Sequence, residues 1–347
     1  MDIRNETDTK NKSFKNFSIF LILLLLLIVT FFLNVGIGSV NIRVAEIIQI
    51  IFQLPTENEV HEAITNKIRL PRTIAAMIGG AALAISGLLL QVFFRNPIAG
   101  PFVLGISSGA TLAVGFISLA GFTFGLGVIS PFLIFIAAFV GAVSVMILVL
   151  LLAAKVRNIT TLLVIGLMVG YLTSAVTSFL MAFAEKEHVH GFVMWSLGSY
   201  SGFTWDQVIV LAIIGLPMLF ATFLISKPLN AFLLGEDYAK SMGVPTKLFR
   251  YVIVILASIL AAVITAFTGP VAFIGMAVPH IVRTVFQTSD NKILIPSAIL
   301  LGAILTSLCD LLARTLYSPI ELPISAVTAF FGAPIVIYLL LKRRNTL

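Results

Sequence analysis

Long apolar windows separated by short charged punctuation dominate this sequence. Asp, Glu, Lys and Arg are absent from 16–42, 73–94, 96–154, 158–184, 207–226, 251–282, 293–309 and 322–341. A membrane-crossing helix uses roughly 20 apolar residues, so most windows hold one span. The window 96–154 is long enough for two, with a break expected at Gly121-Phe122-Thr123-Phe124-Gly125 and a new start at Pro131. The window 251–282 is expected to break at Gly269-Pro270. The pattern predicts ten transmembrane helices, near 18–36, 70–93, 102–120, 129–153, 160–184, 206–226, 250–268, 272–288, 293–316 and 324–341. Residues 1–17 read as a polar tail, and 18–347 as one membrane domain.

Composition agrees with this reading. Of 347 residues, 59% are hydrophobic and 11% charged, whereas soluble domains carry roughly 25% charge. A soluble globule, a coiled coil and a disordered chain are excluded. The class is an all-α, polytopic membrane protein. With both termini placed in the cytoplasm, sixteen of the 22 basic residues fall on the inner side, as expected from the bias of Lys and Arg toward cytoplasmic loops. That bias accounts for the net charge of +7 without a nucleic-acid partner. The run Phe17–Leu33 exceeds a usual signal core and is read as an uncleaved first span.

Two stretches are too rich in Gly and Pro for plain helix: Arg95–Pro101 leading into Gly105-Ile106-Ser107-Ser108-Gly109, and Gly269–Gly275 leading into Pro279-His280. Broken backbone at membrane depth needs protein or water around it and recurs in transporters built from repeats. Gly105–Gly109 also fits the G-x-S-x-G pattern of hydrolases, but that motif needs a preceding strand and a histidine with an orienting acid. Small residues at this spacing equally serve helix packing. The single cysteine, Cys309, allows no intrachain disulfide. His61, His188 and His190 are expected in solvated outer segments, with no metal site.

No G-x-x-x-x-G-K-[ST] occurs, so the chain has no P-loop for nucleotide phosphates. Ionisable residues deep in the membrane mark ion-coupled carriers; here only Asp310 and Arg314 approach one, and their i, i+4 spacing suggests that they pair with each other. Any use of ATP must therefore come from a partner protein, and a self-powered ion-coupled carrier is disfavoured. The segment 234–245, Leu-Gly-Glu-Asp-Tyr-Ala-Lys-Ser-Met-Gly-Val-Pro, reads as a short inner surface helix. Its acids sit in the first turn, and Gly243 and Pro245 close it. At the outer mouth of the second span, Arg69-Leu70-Pro71-Arg72 could anchor lipid phosphate or form bidentate pairs with carboxylates of an external partner.

Arg69-Leu70-Pro71-Arg72 with Gly79–Gly87 and Gln91, Asn96-Pro97-Ile98-Ala99, Leu104-Gly105, Gly235-Glu236 with Ala239 and Gly243, Gly275 with Pro279-His280-Ile281-Val282-Arg283, and Glu321-Leu322-Pro323-Ile324 occur in the order of the FecCD-type permeases, which the chain closely resembles from about residue 66 onward. Those permeases are the membrane subunits of ABC importers for iron–siderophore complexes, haem and cobalamin. The resemblance implies ten helices per subunit in a bacterial cell membrane, and a pair of permeases around a central path. It also implies two cytoplasmic ATPase subunits that use ATP and Mg, and an extracytoplasmic substrate-binding protein. The permease itself is then no enzyme and binds no cofactor. By the same resemblance Gly235, Glu236, Ala239 and Gly243 belong to a coupling helix seated in the ATPase. Arg69, Arg72 and Arg314 meet acids of the binding protein, and Thr160 and Thr161 lie at a cytoplasmic gate. The expected cargo is an iron(III)–siderophore complex, with haem or cobalamin as alternatives.

Overall fold

The computed structural model describes residues 2–56, 58–97, 99–101, 105–120, 130–155 and 159–344. Fifteen α-helices follow one another in this range: α1 Asp2–Gly36, α2 Val44–Ile51, α3 Glu59–Ile64, α4 Leu70–Phe94, α5 Ile106–Gly115, α6 Pro131–Lys155, α7 Ile159–Phe183, α8 Lys186–Leu197, α9 Trp205–Leu224, α10 Ser226–Leu233, α11 Glu236–Ser241, α12 Thr246–Thr268, α13 Ile274–Phe286, α14 Asn291–Thr315 and α15 Ile324–Arg344. Among the described residues seven helical stretches are long and apolar enough to cross a membrane. Three shorter apolar helices, Ile106–Leu119, Ile274–Phe286 and Ile324–Tyr338, coincide with the spans expected at 102–120, 272–288 and 324–341. The break expected at 121–125 lies outside the described residues. Helix α1 begins at Asp2, so it includes the stretch read as a polar tail.

Burial sorts the spans into two layers. The most apolar windows of α4, α12 and α14 are 83%, 72% and 61% buried, whereas those of α1, α6, α7 and α9 are 22–28% buried. In lipid there is no hydrophobic drive between helices, so tight contact needs small residues that let backbones approach. Helix α4 supplies them. A Cβ added at Gly80 would lie 2.2 Å from the carbonyl oxygen of Gly302 on α14, and one at Gly87 would lie 1.7 Å from that of Gly275 at the start of α13. These two glycines fix the positions of α14 and α13 against the central helix.

Both irregular stretches are present. Arg95 ends α4 in a left-handed conformation (φ 47°) and Gly105 (φ 73°) precedes α5, while Gly269 (φ 71°) ends α12 and Phe273 (φ 66°) precedes α13. Residues 98 and 102–104 lie outside the description. The G-x-S-x-G sequence is helix-packing surface: Gly109 approaches Gly141 of α6 so closely that a Cβ would sit 2.5 Å from its carbonyl oxygen. Ser107 is buried, and its backbone carbonyl accepts the Thr111 hydroxyl at 2.9 Å.

Candidate functional site

Helix α4 is 25 residues long, about 37 Å at about 1.5 Å per residue, and each of its ends carries a polar constellation.

At its N-terminal end, three arginines turn inward. The Arg69 guanidinium donates to the carbonyls of Val35 (2.8 Å), Gly36 (3.0 Å) and Val40. Arg314 donates to the carbonyl of Asn34. The last carbonyls of a helix lack intrahelical donors and carry its negative dipole end, so the two arginines cap the first span. Gly38 makes room for this: a Cβ there would lie 2.6 Å from Nη2 of Arg69. Arg72 faces two acids. Its Nε and Nη2 each lie 2.9 Å from a carboxylate oxygen of Asp310, and Nη1 lies 2.7 Å from Oε1 of Glu321. The Arg72 and Asp310 side chains are buried, and that of Glu321 is 38% exposed.

This geometry corrects one expectation. Asp310 pairs with Arg72 across helices, not with Arg314 one turn along, because the Gly80–Gly302 contact brings antiparallel α4 and α14 close enough for a bidentate fork. Arg69 and Arg72, two of the arginines read as docking residues, are 3% and 6% exposed with donors engaged within the chain, and Arg314 is half-buried. Burial alone would raise the Glu321 carboxyl, but the hydrogen bond and charge of Arg72 outweigh it and hold it below its ordinary value. Tyr200, wholly buried beside Gly79, is pushed upward by burial and by the Asp310 charge, so it remains a neutral phenol. Nearby, His61 is not merely solvated, since its Nδ1 lies 2.7 Å from Oε1 of Glu46 and ties α3 to α2. His188 and His190 belong to helix α8 instead of a loop.

At the other end of α4 lies the segment read from sequence as a surface helix. Its helical core is Glu236–Ser241, bracketed by Gly235 (φ 128°) and Gly243 (φ 83°), conformations that side chains bearing a Cβ rarely adopt. Ala239 is fully buried and anchors the helix to the protein. Glu236 accepts a hydrogen bond from Arg250, one turn into α12, so the short helix is tied ionically to a central span. Facing outward are Leu234, Tyr238 and Met242, exposed by 70%, 46% and 65% and spaced four residues apart. The sequence reading had singled out Gly235, Glu236, Ala239 and Gly243, which shape and seat the helix; it missed the exposed apolar side chains. Their i, i+4 spacing within a polar segment was the available signal. Thr160 and Thr161 lie in the first turn of α7, where Thr161 is exposed; the Thr160 side chain is outside the description.

The arrangement at both ends is joined by a match to the FecCD transport family model over residues 26–342. This chain belongs to the FecCD transport family. It is 36% identical over 279 residues to the vitamin B12 import system permease protein BtuC of Klebsiella pneumoniae subsp. pneumoniae, a match covering 80% of this chain and 82% of that protein. It is 37% identical over 284 residues to a protein of Methanocaldococcus jannaschii described as an ABC transporter permease, covering 79% of this chain and 80% of that one. Among solved structures, the inward-facing conformation of a protein described as a metal-chelate type ABC transporter superposes with a TM-score of 0.83 at 29% identity, covering 94% of this chain and 99% of that chain. The FecCD chain is therefore a multi-pass ABC importer permease, and as a permease subunit it is not itself an enzyme.

Proposed function

We propose that this permease carries an iron(III)–siderophore complex into the cytoplasm, driven by two ATPase subunits and supplied by an extracytoplasmic binding protein. The observation that carries the ATPase part is the α11 segment. Exposed Tyr238 and Met242 form an apolar contact one helical turn apart, on a helix seated by Ala239 and tied to α12 through Glu236 and Arg250. A partner gripping this helix pulls on α12, which packs against α4, α6 and α9. Nucleotide-driven closure of the ATPase pair then shifts the permease between inward- and outward-open states. The shift can be no larger than the difference in contact energy between those states. The second permease is a copy of this chain or a related one, and the assembly sits in a bacterial cell membrane with the α11 side cytoplasmic.

At the opposite rim, docking of a binding protein on Arg72 requires an incoming carboxylate to replace Glu321, the more exposed of its two acids. A second cargo reading, cobalamin, is favoured by the relatives named as vitamin B12 permeases. Cargo is decided by uptake of radiolabelled ferric siderophore, cobalamin and haem into proteoliposomes that hold the permease with its ATPase and binding protein. Uptake of the siderophore alone, dependent on ATP, is the expected result. Uptake of cobalamin alone overturns the siderophore reading, and uptake without ATPase overturns the ABC reading of this chain.

A further inference from the structure

Between the first two spans, helix α2 presents three different faces. Ile47 and Ile50 are buried, and Ile47 packs with Val35 and Leu70 at the end of α1. Glu46 and Gln49 turn another way, lining a polar cavity of about 580 Å³ with Asn58 and His61 from the start of α3. Val44, Ile48 and Phe52 form the third face, exposed by 50%, 40% and 72%. Residues four apart share one side of a helix, so these side chains make a single apolar strip, and exposed Ile51 widens it.

The strip begins level with the end of the first span. The apolar part of α1, Phe14–Gly36, has 23 residues, about 34 Å at about 1.5 Å per residue, which crosses a hydrocarbon core of about 30 Å. The chain does not then run out into solvent. The Ile42 amide donates to the carbonyl of Gly36 at 2.9 Å, and Arg69 holds the carbonyls of Gly36 and Val40 together. Helix α2 therefore starts beside the end of α1. Leu33, Ile37 and Val40 are each more than one third exposed, so apolar side chains at steps of three or four residues run without a gap from the exposed side of α1 to Val44.

We infer that this strip rests on the outer leaflet of the membrane, with Val44, Ile48 and Phe52 against lipid acyl chains and Glu46 and Gln49 turned away from them. A helix with one apolar and one polar face lies in the plane of the membrane interface. The inference is independent of the cargo and of the ATPase, and needs only that α1 crosses the membrane. A soluble partner fits the strip less well. Reversible protein interfaces are about as polar as the surface around them, whereas Val44, Ile48, Ile51 and Phe52 offer no charged or hydrogen-bonding side chain. Lipid contact here also steadies the Val40 carbonyl that Arg69 grips.

The experiment attaches a nitroxide to single cysteines of the full-length permease in nanodiscs, in a Cys309→Ser background because Cys309 is the one native cysteine. Labels at Val44→Cys, Ile48→Cys and Phe52→Cys are expected to collide severalfold more often with oxygen, which concentrates in lipid, than with a water-soluble nickel chelate. A label at Gln49→Cys should show the reverse. Preference for the chelate at all four positions means that the strip faces water, and overturns the inference. Low access to both reagents means that protein covers it, and so does loss of the oxygen collisions when binding protein is added; either result overturns the inference in favour of a protein partner. A second measurement keeps Cys309 in place. Phe52→Trp should add fluorescence, above that of Trp195 and Trp205, that lipids brominated on their acyl chains quench. Quenching of the added signal by aqueous acrylamide alone counts against lipid contact.

Discussion

Arg72 and Asp310, 238 residues apart in the chain, meet as a buried bidentate pair with two N–O separations of 2.9 Å. The desolvation cost of such a pair is offset only while both partners remain. Asp310→Leu leaves Arg72 with Glu321 alone and is expected to lower stability by about 3–5 kcal/mol, the range for one orphaned partner of a buried pair. Arg72→Met combined with Asp310→Leu should be less destabilised than Asp310→Leu alone. Thermal unfolding of the detergent-solubilised permease checks this, and a double variant weaker than both singles counts against it.

The pH response of the same cluster runs through Glu321. Its carboxyl is held below the ordinary value in the folded protein, so the stabilisation it gives is fully present above the unfolded-state value, about 4.3. It is lost as pH falls through the lowered folded value. The unfolding midpoint should therefore show no Glu321-dependent change from pH 6 to pH 8 and should fall at strongly acidic pH. Glu321→Gln should flatten part of that acidic fall, as seen by comparing the two proteins across the titration.

Glycine positions on two helices separate backbone contact from propensity. Gly87→Ala would drive a Cβ to 1.7 Å from the carbonyl oxygen of Gly275, and is expected to reach the exceptional class above about 4 kcal/mol or to abolish insertion. At Gly191, in α8, an added Cβ meets nothing within 4 Å. Gly191→Ala should raise stability by about 0.5–1 kcal/mol through helix propensity. Expression and melting temperature of both variants decide the point.

Glu236 and Arg250 link the short surface helix to α12. Glu236→Gln should leave ATP hydrolysis by the assembled importer nearly intact while cargo uptake falls several-fold, because the grip on α11 no longer moves α12. The exchanged pair Glu236→Arg with Arg250→Glu should recover part of the uptake. Parallel assays of phosphate release and uptake in the same proteoliposomes make the comparison; equal loss of both activities would place Glu236 in binding instead of coupling.

The spans could be read from one dimension because their cause is local. A window without charge, as at 251–282, cannot tolerate water along its length, and Gly269-Pro270 cannot continue a helix whatever surrounds it. The α11 segment was legible for the same reason: positive φ at Gly235 and Gly243 is a property of those residues. Partners of the arginines are a different matter. From the sequence, Asp310 has Arg314 as its nearest cation, four residues away, and nothing local favours Arg72.

That choice was made by helix packing. Once Gly80 and Gly302 let α4 and α14 approach at backbone distance, Arg72 lay opposite Asp310, and Arg314 was left to cap α1 at Asn34. The contact of Gln91 with Arg283 has the same origin, since Gln91 on α4 holds a guanidinium from α13 that is 192 positions distant in the chain. Solvent preference and backbone conformation act residue by residue, so the sequence determined where the chain crosses the membrane and where it turns. Pairing of buried charges depends on distances between helices, and only the packed glycine contacts decided those.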